Sequence, residues 1–291
     1  MPTLSKRILA CLRQDLRAAL AAGVARDPAD PPGAARWLWW AVLGCALTGL
    51  TLFQAAGYTA GFAWLNAYGA LVPAPLWQWL TVLGDERVAF CLALLLARRH
   101  PRLFWTLILA ALVAIAYGRG LKALLAMPRP PALLTPDSFN LIGIPLRRLS
   151  FPSGHSVTAG VFFGVLAYYA RGPGWRGLWL LLALLVGLSR VAVGVHWPVD
   201  VAAGLGGGLL AVLAGAWLAR RFPVGMQDGS VHLALVSAAA IVSIGLFYDH
   251  GGYPGAARPL QALAAVALGR AVLDYVLLPL GHAMQAPADR C

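Results

Sequence analysis

Three short polar segments of this 291-residue chain contain residue types that suit the chemistry of a phosphoryl group. The candidate residues are Lys122 and Arg129 in the first segment, Ser153, Gly154 and His155 in the second, and Arg190, His196 and Asp200 in the third. Cationic side chains neutralise phosphate oxygens, and arginine can do so through two parallel hydrogen bonds. The segments therefore predict a phosphate-binding site.

The second segment adds neutral groups to this site. Ser153 offers a hydroxyl, and Gly154 stands where the next helix is expected to begin. The N–H groups at a helix N-terminus bind anions, and glycine lets a ligand approach the backbone closely. We therefore expect Ser153 and Gly154 to bind the phosphate together with the three cations, Lys122, Arg129 and Arg190.

The two histidines are the candidate nucleophile and acid. Because Pro198 is favoured at the first position of a helix, Asp200 is expected in the first turn, where it can reach one imidazole nitrogen of His196. That contact would fix the tautomer and leave the other nitrogen as nucleophile, while His155 would protonate the leaving oxygen. A metal site made of these three residues is the competing interpretation. It is disfavoured because the nearby cations would repel a divalent ion.

The composition indicates a polytopic membrane protein. Hydrophobic residues make up 60% and charged residues 12% of the chain, and the mean hydropathy is +0.72, whereas soluble domains contain about 25% charged residues. The net charge of +12 would suggest nucleic acid in a soluble chain, but here the basic residues flank apolar segments, where they fix orientation. We expect an all-α transmembrane helical bundle whose partner is the lipid bilayer and not a nucleic acid.

Eight apolar segments are candidates for crossing the bilayer, which takes about 20 residues. They are 37–58, 76–97, 103–121, 156–170, 177–192, 198–218, 231–247 and 260–280. The arginine-rich connections place the N-terminus in the cytoplasm by the positive-inside rule. Counting crossings from there brings all three polar segments to one outer face of the membrane.

In this order, the three segments resemble the signature of the type 2 phosphatidic acid phosphatase superfamily, in its membrane-bound lipid phosphatase branch. The pattern is Lys-x6-Arg-Pro, then Pro-Ser-Gly-His, then Ser-Arg-x5-His-x3-Asp, and every position is filled here. The matching residues are Lys122, Arg129, Pro130, Pro152, Ser153, Gly154, His155, Ser189, Arg190, His196 and Asp200. The resemblance covers about residues 36–222. It implies a six-span core, a phosphohistidine intermediate on His196 with His155 as general acid, and no metal or other cofactor.

Two further parts flank the segment that carries the resemblance. We expect a cytoplasmic amphipathic segment at 1–35, the six-span catalytic core at 36–222, and an additional C-terminal membrane helix pair at 223–291. The first segment has leucines at helical spacing opposite basic residues. This pattern fits a helix on an anionic leaflet and, equally, a solvated amphipathic helix.

The resemblance implies a metal-independent phosphatase for membrane lipids. The expected location is the bacterial inner membrane, with the site on the periplasmic or outer side. Candidate substrates are undecaprenyl diphosphate, phosphatidylglycerol phosphate and phosphatidic acid. A lipid phosphotransferase, for example one acting on lipid A, would use the same intermediate. A lipid-phosphate transporter is disfavoured, because binding alone needs cations but neither a nucleophile nor an acid.

Five more polar residues could contact the substrate at the rim of the site. They are Arg119, Arg147, Arg148, His250 and Arg258. The first three would add charge for a second phosphate, although Arg147 and Arg148 could equally well contact only lipid headgroups. The last two stand in or beside the loop between spans seven and eight, which the count of crossings places on the same face. That loop could also be a solvated connector.

Overall fold

The computed structural model describes residues 4–285, and in that range it contains helices and turns but no β-strand. The α-helices are α1 (Leu4–Arg26), α2 (Ala34–Ala56), α3 (Phe62–Gly69), α4 (Ala74–Val82), α5 (Glu86–Ala97), α6 (Pro101–Leu125), α7 (Pro130–Leu133), α8 (Gly154–Tyr169), α9 (Pro173–Ala192), α10 (Pro198–Arg221), α11 (Val224–Gln227), α12 (Gly229–Ile244), α13 (Ala257–Val272) and α14 (Leu278–Gln285). The π-helical turn Leu273–Leu277 joins the last two. The predicted all-α fold is confirmed.

Six segments within the described range are long and apolar enough to cross a membrane. They are 34–56, 101–133, 173–192, 198–221, 229–247 and 254–285. The other two predicted spans differ from simple crossings. Residues 76–97 are divided between α4 and α5, and α8 has only 16 residues. The chain is a multi-pass membrane protein with α8 enclosed by its neighbours α6, α9 and α10.

The break between α4 and α5 has a local cause. Asp85 accepts a hydrogen bond from the backbone N–H of Arg87 at 2.8 Å and so caps α5. A Cβ atom on Gly84 would lie 2.8 Å from the Cβ atom of His155. Glycine therefore allows this turn to pack directly against the first turn of α8.

Glycines also bring α8 and α10 close together. A Cβ atom on Gly204 would lie 2.7 Å from the carbonyl oxygen of Ser153, and one on Gly160 would lie 2.7 Å from that of Leu205. Small residues such as Gly204 and Gly208, which share one face of α10, let membrane helices approach this closely. The crossing holds the first turns of the two helices side by side, and both turns contain site residues.

The apolar face of α1 is covered by the protein itself. Leu16 and Leu20 are buried, and the helix packs on α14 and on the start of α6. Asp27, just after α1, contacts Nδ1 of His100 at 3.0 Å. The sequence predicted a helix that lies on a leaflet or in solvent. Neither alternative included packing against α14, because that helix is far away along the chain, in its C-terminal part.

Candidate active site

The three polar segments meet at one end of the bundle. Lys122 is in the last turn of α6, Arg129 precedes α7, His155 is in the first turn of α8, Arg190 is in the last turn of α9, His196 precedes α10, and Asp200 is in the first turn of α10. Direct contacts join the segments, as Arg129 touches His196 and the backbone N–H of Ser153 donates to the carbonyl oxygen of Asp200. The three segments therefore converge at one end of the bundle, and the side of the membrane that this end faces stays a prediction.

The imidazole of His196 is held from both sides. Its Nδ1 lies 3.2 Å from Oδ2 of Asp200, and its Nε2 lies 3.0 Å from Nη1 of Arg129. A carboxylate only accepts and a guanidinium only donates, so Nδ1 carries the proton and Nε2 presents its lone pair. His196 is 1% exposed. Burial, followed by the charges of Arg129 and Arg190, lowers its pKa and keeps the ring neutral.

Three donors besides His196 surround the carboxylate of Asp200. Ser150 and Tyr58 donate their hydroxyl protons to it, and the backbone N–H of Trp197 donates to Oδ2 at 2.9 Å. A buried carboxylate needs such partners to remain charged. Neither hydroxyl was predicted from the sequence. Ser150 is just before the Pro-Ser-Gly-His run, and Tyr58 is 142 residues away along the chain.

The first segment is positioned by main-chain carbonyl groups. Arg129 donates from Nε to the carbonyl oxygen of Arg148 at 2.8 Å, and Lys122 donates to that of Leu149. The backbone N–H of Arg129 donates to the carbonyl oxygen of Arg147 at 3.1 Å. The side chains of Arg147 and Arg148 themselves are exposed. The turn thus holds the cations through its backbone, and a role for its two guanidinium groups at the rim stays a prediction.

Arg190 is almost completely buried, at 2% exposure. Its Nη1 donates to the hydroxyl oxygens of Thr81 and Tyr253, the latter at 2.8 Å. The side chain of Asn66 donates to the carbonyl oxygens of Val191 and Ala192 at 3.0 and 3.2 Å and so holds the end of α9. The arginine was predicted from the sequence, but Thr81 and Asn66 belong to no recognisable motif.

Ser153 acts as a helix cap in this structure. Its hydroxyl oxygen accepts hydrogen bonds from the backbone N–H of Ser156 at 3.4 Å and from the hydroxyl of Ser156 at 2.9 Å. The side chain is fully buried, whereas Gly154 is exposed. The backbone at Gly154 therefore offers the open part of the α8 N-terminus to an anion, and a phosphate contact by the Ser153 hydroxyl stays a prediction.

An apolar cavity of about 260 Å³ opens beside this site, between α5, α6 and α8. Its polar lining consists of Glu86, Arg119, Lys122, Gly154 and Thr158. Its remaining lining residues are Ala89, Phe90, Leu107, Ala111, Ala114, Ile115, Gly118, Val157 and Val161. The cavity therefore joins a cationic end to a hydrocarbon-like wall, and Arg119, three residues before Lys122 on the same helix, also lines it.

The loop between α12 and α13 reaches the site through a tyrosine. Tyr253 is the loop residue that contacts Arg190. Among residues 4–285, no hydrogen bond or ion pair joins the side chains of His250 or Arg258 to the catalytic cluster, and Arg258 is exposed. Their role at the rim stays a prediction, but the loop itself is more than a solvated connector.

Residues 102–223 match the PAP2 superfamily. The chain is 34% identical over 128 residues to an undecaprenyl-diphosphatase of Sulfolobus acidocaldarius, covering 43% of this chain and 56% of the other. It is 44% identical over 72 residues to a lipid A 1-phosphatase of Rhizobium etli, covering 24% and 30%. The crystal structure of Aquifex aeolicus LpxE is 30% identical, covering 53% of this chain and 91% of that one, with a TM-score of 0.48. The matched region thus spans little more than half of the first relative and less than a third of the second.

Proposed function

We propose that this chain, whose residues 102–223 match the PAP2 superfamily, is an integral-membrane lipid phosphatase that cleaves a phosphate group from a lipid phosphate or diphosphate. The main support for this proposal is the tautomer of His196 and the groups that surround its ring. One ring nitrogen faces Asp200, the other presents its lone pair among cations, and an apolar cavity ends beside it at Lys122. A nucleophile next to a hydrocarbon-like cavity suits a phosphate on a lipid.

In the proposed first step, the phosphate group sits among Lys122, Arg129 and Arg190. Arg129 moves its hydrogen bond from Nε2 of His196 to a phosphate oxygen, which exposes the lone pair. Nε2 then attacks phosphorus, the bond from phosphorus to the lipid oxygen breaks, and His155, which enters this step protonated, gives its proton to that oxygen. The product is an alcohol, or a monophosphate if the substrate is a diphosphate, together with phosphohistidine.

In the second step, water replaces the lipid oxygen. His155, now neutral, takes a proton from water as the oxygen attacks phosphorus, and the bond from phosphorus to Nε2 breaks. Inorganic phosphate leaves and His196 returns to its neutral form. Asp200 stabilises the positive charge that the ring carries while Nε2 is phosphorylated.

The cavity and the relatives together support a lipid as substrate. The wall between α5, α6 and α8 is apolar, so a hydrocarbon chain can occupy it while the headgroup reaches Lys122 and Gly154. The two relatives described above are named for undecaprenyl diphosphate and lipid A. Arg119 in the same cavity provides charge for a second phosphate. A polyprenyl diphosphate or a glycerophospholipid phosphate therefore fits best.

We further propose that the site faces the periplasmic or outer side of a bacterial inner membrane and that the N-terminus is cytoplasmic. The support is the distribution of basic residues. Arg98, Arg99 and Arg102 stand between α5 and the first turn of α6, at the opposite end of the bundle from Lys122. Positive charges favour the cytoplasmic side.

Phosphate release from a panel of lipids tests the proposed function. The purified full chain in detergent should release inorganic phosphate from polyprenyl diphosphate, phosphatidylglycerol phosphate or phosphatidic acid with a chelator present throughout. His196→Gln serves as the blank. Release from none of these lipids, or release that depends strictly on added Mg²⁺, would contradict the proposal.

Filling the apolar cavity should discriminate against long lipids. Gly118 lines the cavity, and a Cβ atom there meets nothing within 4 Å, so a leucine side chain can extend into the space without disturbing the helix. We expect Gly118→Leu to lower kcat/KM for long-chain lipid phosphates by about tenfold or more, since the chain loses its apolar contacts. Hydrolysis of a short soluble phosphate ester should stay within about twofold of wild type.

Gly120→Leu is the matched control. It lies one residue beyond Arg119 on the same helix, a Cβ atom there also meets nothing within 4 Å, and it does not line the cavity. Equal effects of the two substitutions on long lipids would contradict a role of the cavity in binding the lipid chain. So would an equal loss of activity on long and short substrates for Gly118→Leu.

A further inference from the structure

We propose that Tyr253 is a positioning residue that orients Arg190 for phosphate binding, so that the C-terminal helix pair completes the active site. This inference rests on the proposed function, because it takes Arg190 as a phosphate ligand. Tyr253 lies outside the region 102–223 that matches the family. The matched region therefore contains Arg190 but not the tyrosine that positions it.

The contact between the two side chains is buried and direct. The hydroxyl oxygen of Tyr253 accepts a hydrogen bond from Nη1 of Arg190 at 2.8 Å, and the guanidinium carbon lies 5.9 Å from the centre of the tyrosine ring. Tyr253 is 4% exposed and Arg190 is 2% exposed. Hydrogen bonds to a charged group in such surroundings are stronger than those between neutral groups.

The hydrogen bonds of Arg190 decide which of its edges can bind substrate. Nη1 is engaged by Thr81 and Tyr253 together. Nε is buried and has no hydrogen-bond partner among residues 4–285. A buried donor without a partner costs free energy, so a ligand that accepts from it is favoured. Holding Nη1 thus turns the Nε edge of the guanidinium toward a phosphate.

The loop that carries Tyr253 is anchored on both sides. Arg87 pairs with Asp249 at 2.7 Å, and Gln78 accepts from the backbone N–H of Gly255 at 2.8 Å. Trp79 donates to the carbonyl oxygen of Gly255 at 3.0 Å. These contacts tie the loop to α4 and to the first turn of α5. Because the loop has this fixed position, Tyr253 can determine where the guanidinium of Arg190 lies.

Tyr253→Phe tests the inference because it removes one oxygen and keeps the ring. The ring packs on Gly143, where a Cβ atom would lie 2.9 Å from it, so the substitution preserves the packing. We expect about tenfold weaker inhibition by vanadate and an about tenfold lower kcat/KM, carried mainly by KM, because Arg190 binds the oxyanion less well. Vanadate binding is also measured directly by tryptophan fluorescence.

Three comparisons make the result specific. Tyr248→Phe, in the same loop but 85% exposed, should leave both quantities unchanged. Asp249→Asn, which weakens the anchor to Arg87, should shift vanadate affinity in the same direction by about threefold. In an Arg190→Lys background, Tyr253→Phe should have no further effect, since a lysine lacks the group that the tyrosine orients.

Wild-type vanadate affinity and KM in Tyr253→Phe would overturn the inference. So would an undiminished loss in the Arg190→Lys background, which would mean that the tyrosine acts on something else. Failure of the proposed function has a different signature. In that case the unsubstituted chain releases no phosphate, whereas the direct vanadate measurement still reports on Tyr253.

Discussion

Replacing His196 with Gln is expected to abolish turnover, with kcat lower by about 10⁴-fold or more, the scale on which loss of a nucleophile acts. Glutamine is similar in size and can donate to Asp200, so the pocket should stay folded. Its amide oxygen is a poor nucleophile and cannot form a stable bond to phosphorus. Phosphate release from the preferred lipid, followed down to the rate without enzyme, measures the effect.

His282→Gln is the control for the His196 substitution. The side chain of His282 is 69% exposed, and it lies in α14, where it approaches Asp15 of α1 at 3.5 Å. It should keep wild-type activity. Appreciable turnover by a correctly folded His196→Gln protein would mean that another group attacks phosphorus.

Asp200→Asn is expected to lower kcat by on the order of 10²-fold or more, less than the loss of the nucleophile. The amide can still fill the space below the ring. It does not impose the tautomer with hydrogen on Nδ1, and it does not stabilise the positive ring that forms when Nε2 is phosphorylated. The amide group also disturbs the hydrogen bonds from Ser150 and Tyr58, which both donate to the carboxylate.

A matched control for this substitution exists elsewhere in the chain. Asp274 is also buried, and it pairs with Arg270 four residues before it at 2.8 Å. Asp274→Asn therefore removes a buried charge of the same kind away from the site, and kcat should stay within about twofold of wild type. Full activity of Asp200→Asn in the same assay would show that the His196 tautomer does not depend on the carboxylate.

The parts of the site that the sequence predicted are those with a local or a periodic signal. The contact between Asp200 and His196 follows from four-residue spacing at the start of a helix behind Pro198. The convergence of Lys122 and Arg190 follows from counting apolar segments. Both signals survive in a single sequence, because helix geometry and bilayer thickness fix them.

The partners that the sequence did not reveal are joined across long distances in the chain. Thr81 is 109 residues from Arg190, and Tyr58 is 142 residues from Asp200. A single hydroxyl near a helix end has no periodicity that distinguishes it from the other hydroxyls of the chain. The part that Arg147 and Arg148 play in positioning Arg129 could not be predicted either, because their main-chain carbonyl groups accept its hydrogen bonds. Every residue has such a carbonyl group, so the residue type gives no information about this role.

Trapping the phosphorylated enzyme tests the central claim most directly. The purified protein is mixed with a lipid substrate whose terminal phosphate is radiolabelled, quenched within milliseconds in base, and digested for mass spectrometry. We expect an acid-labile, base-stable phosphate on the peptide that contains His196, formed with chelator present and absent from His196→Gln. Steady turnover with no label on the protein, or a label on any residue other than His196, would contradict it.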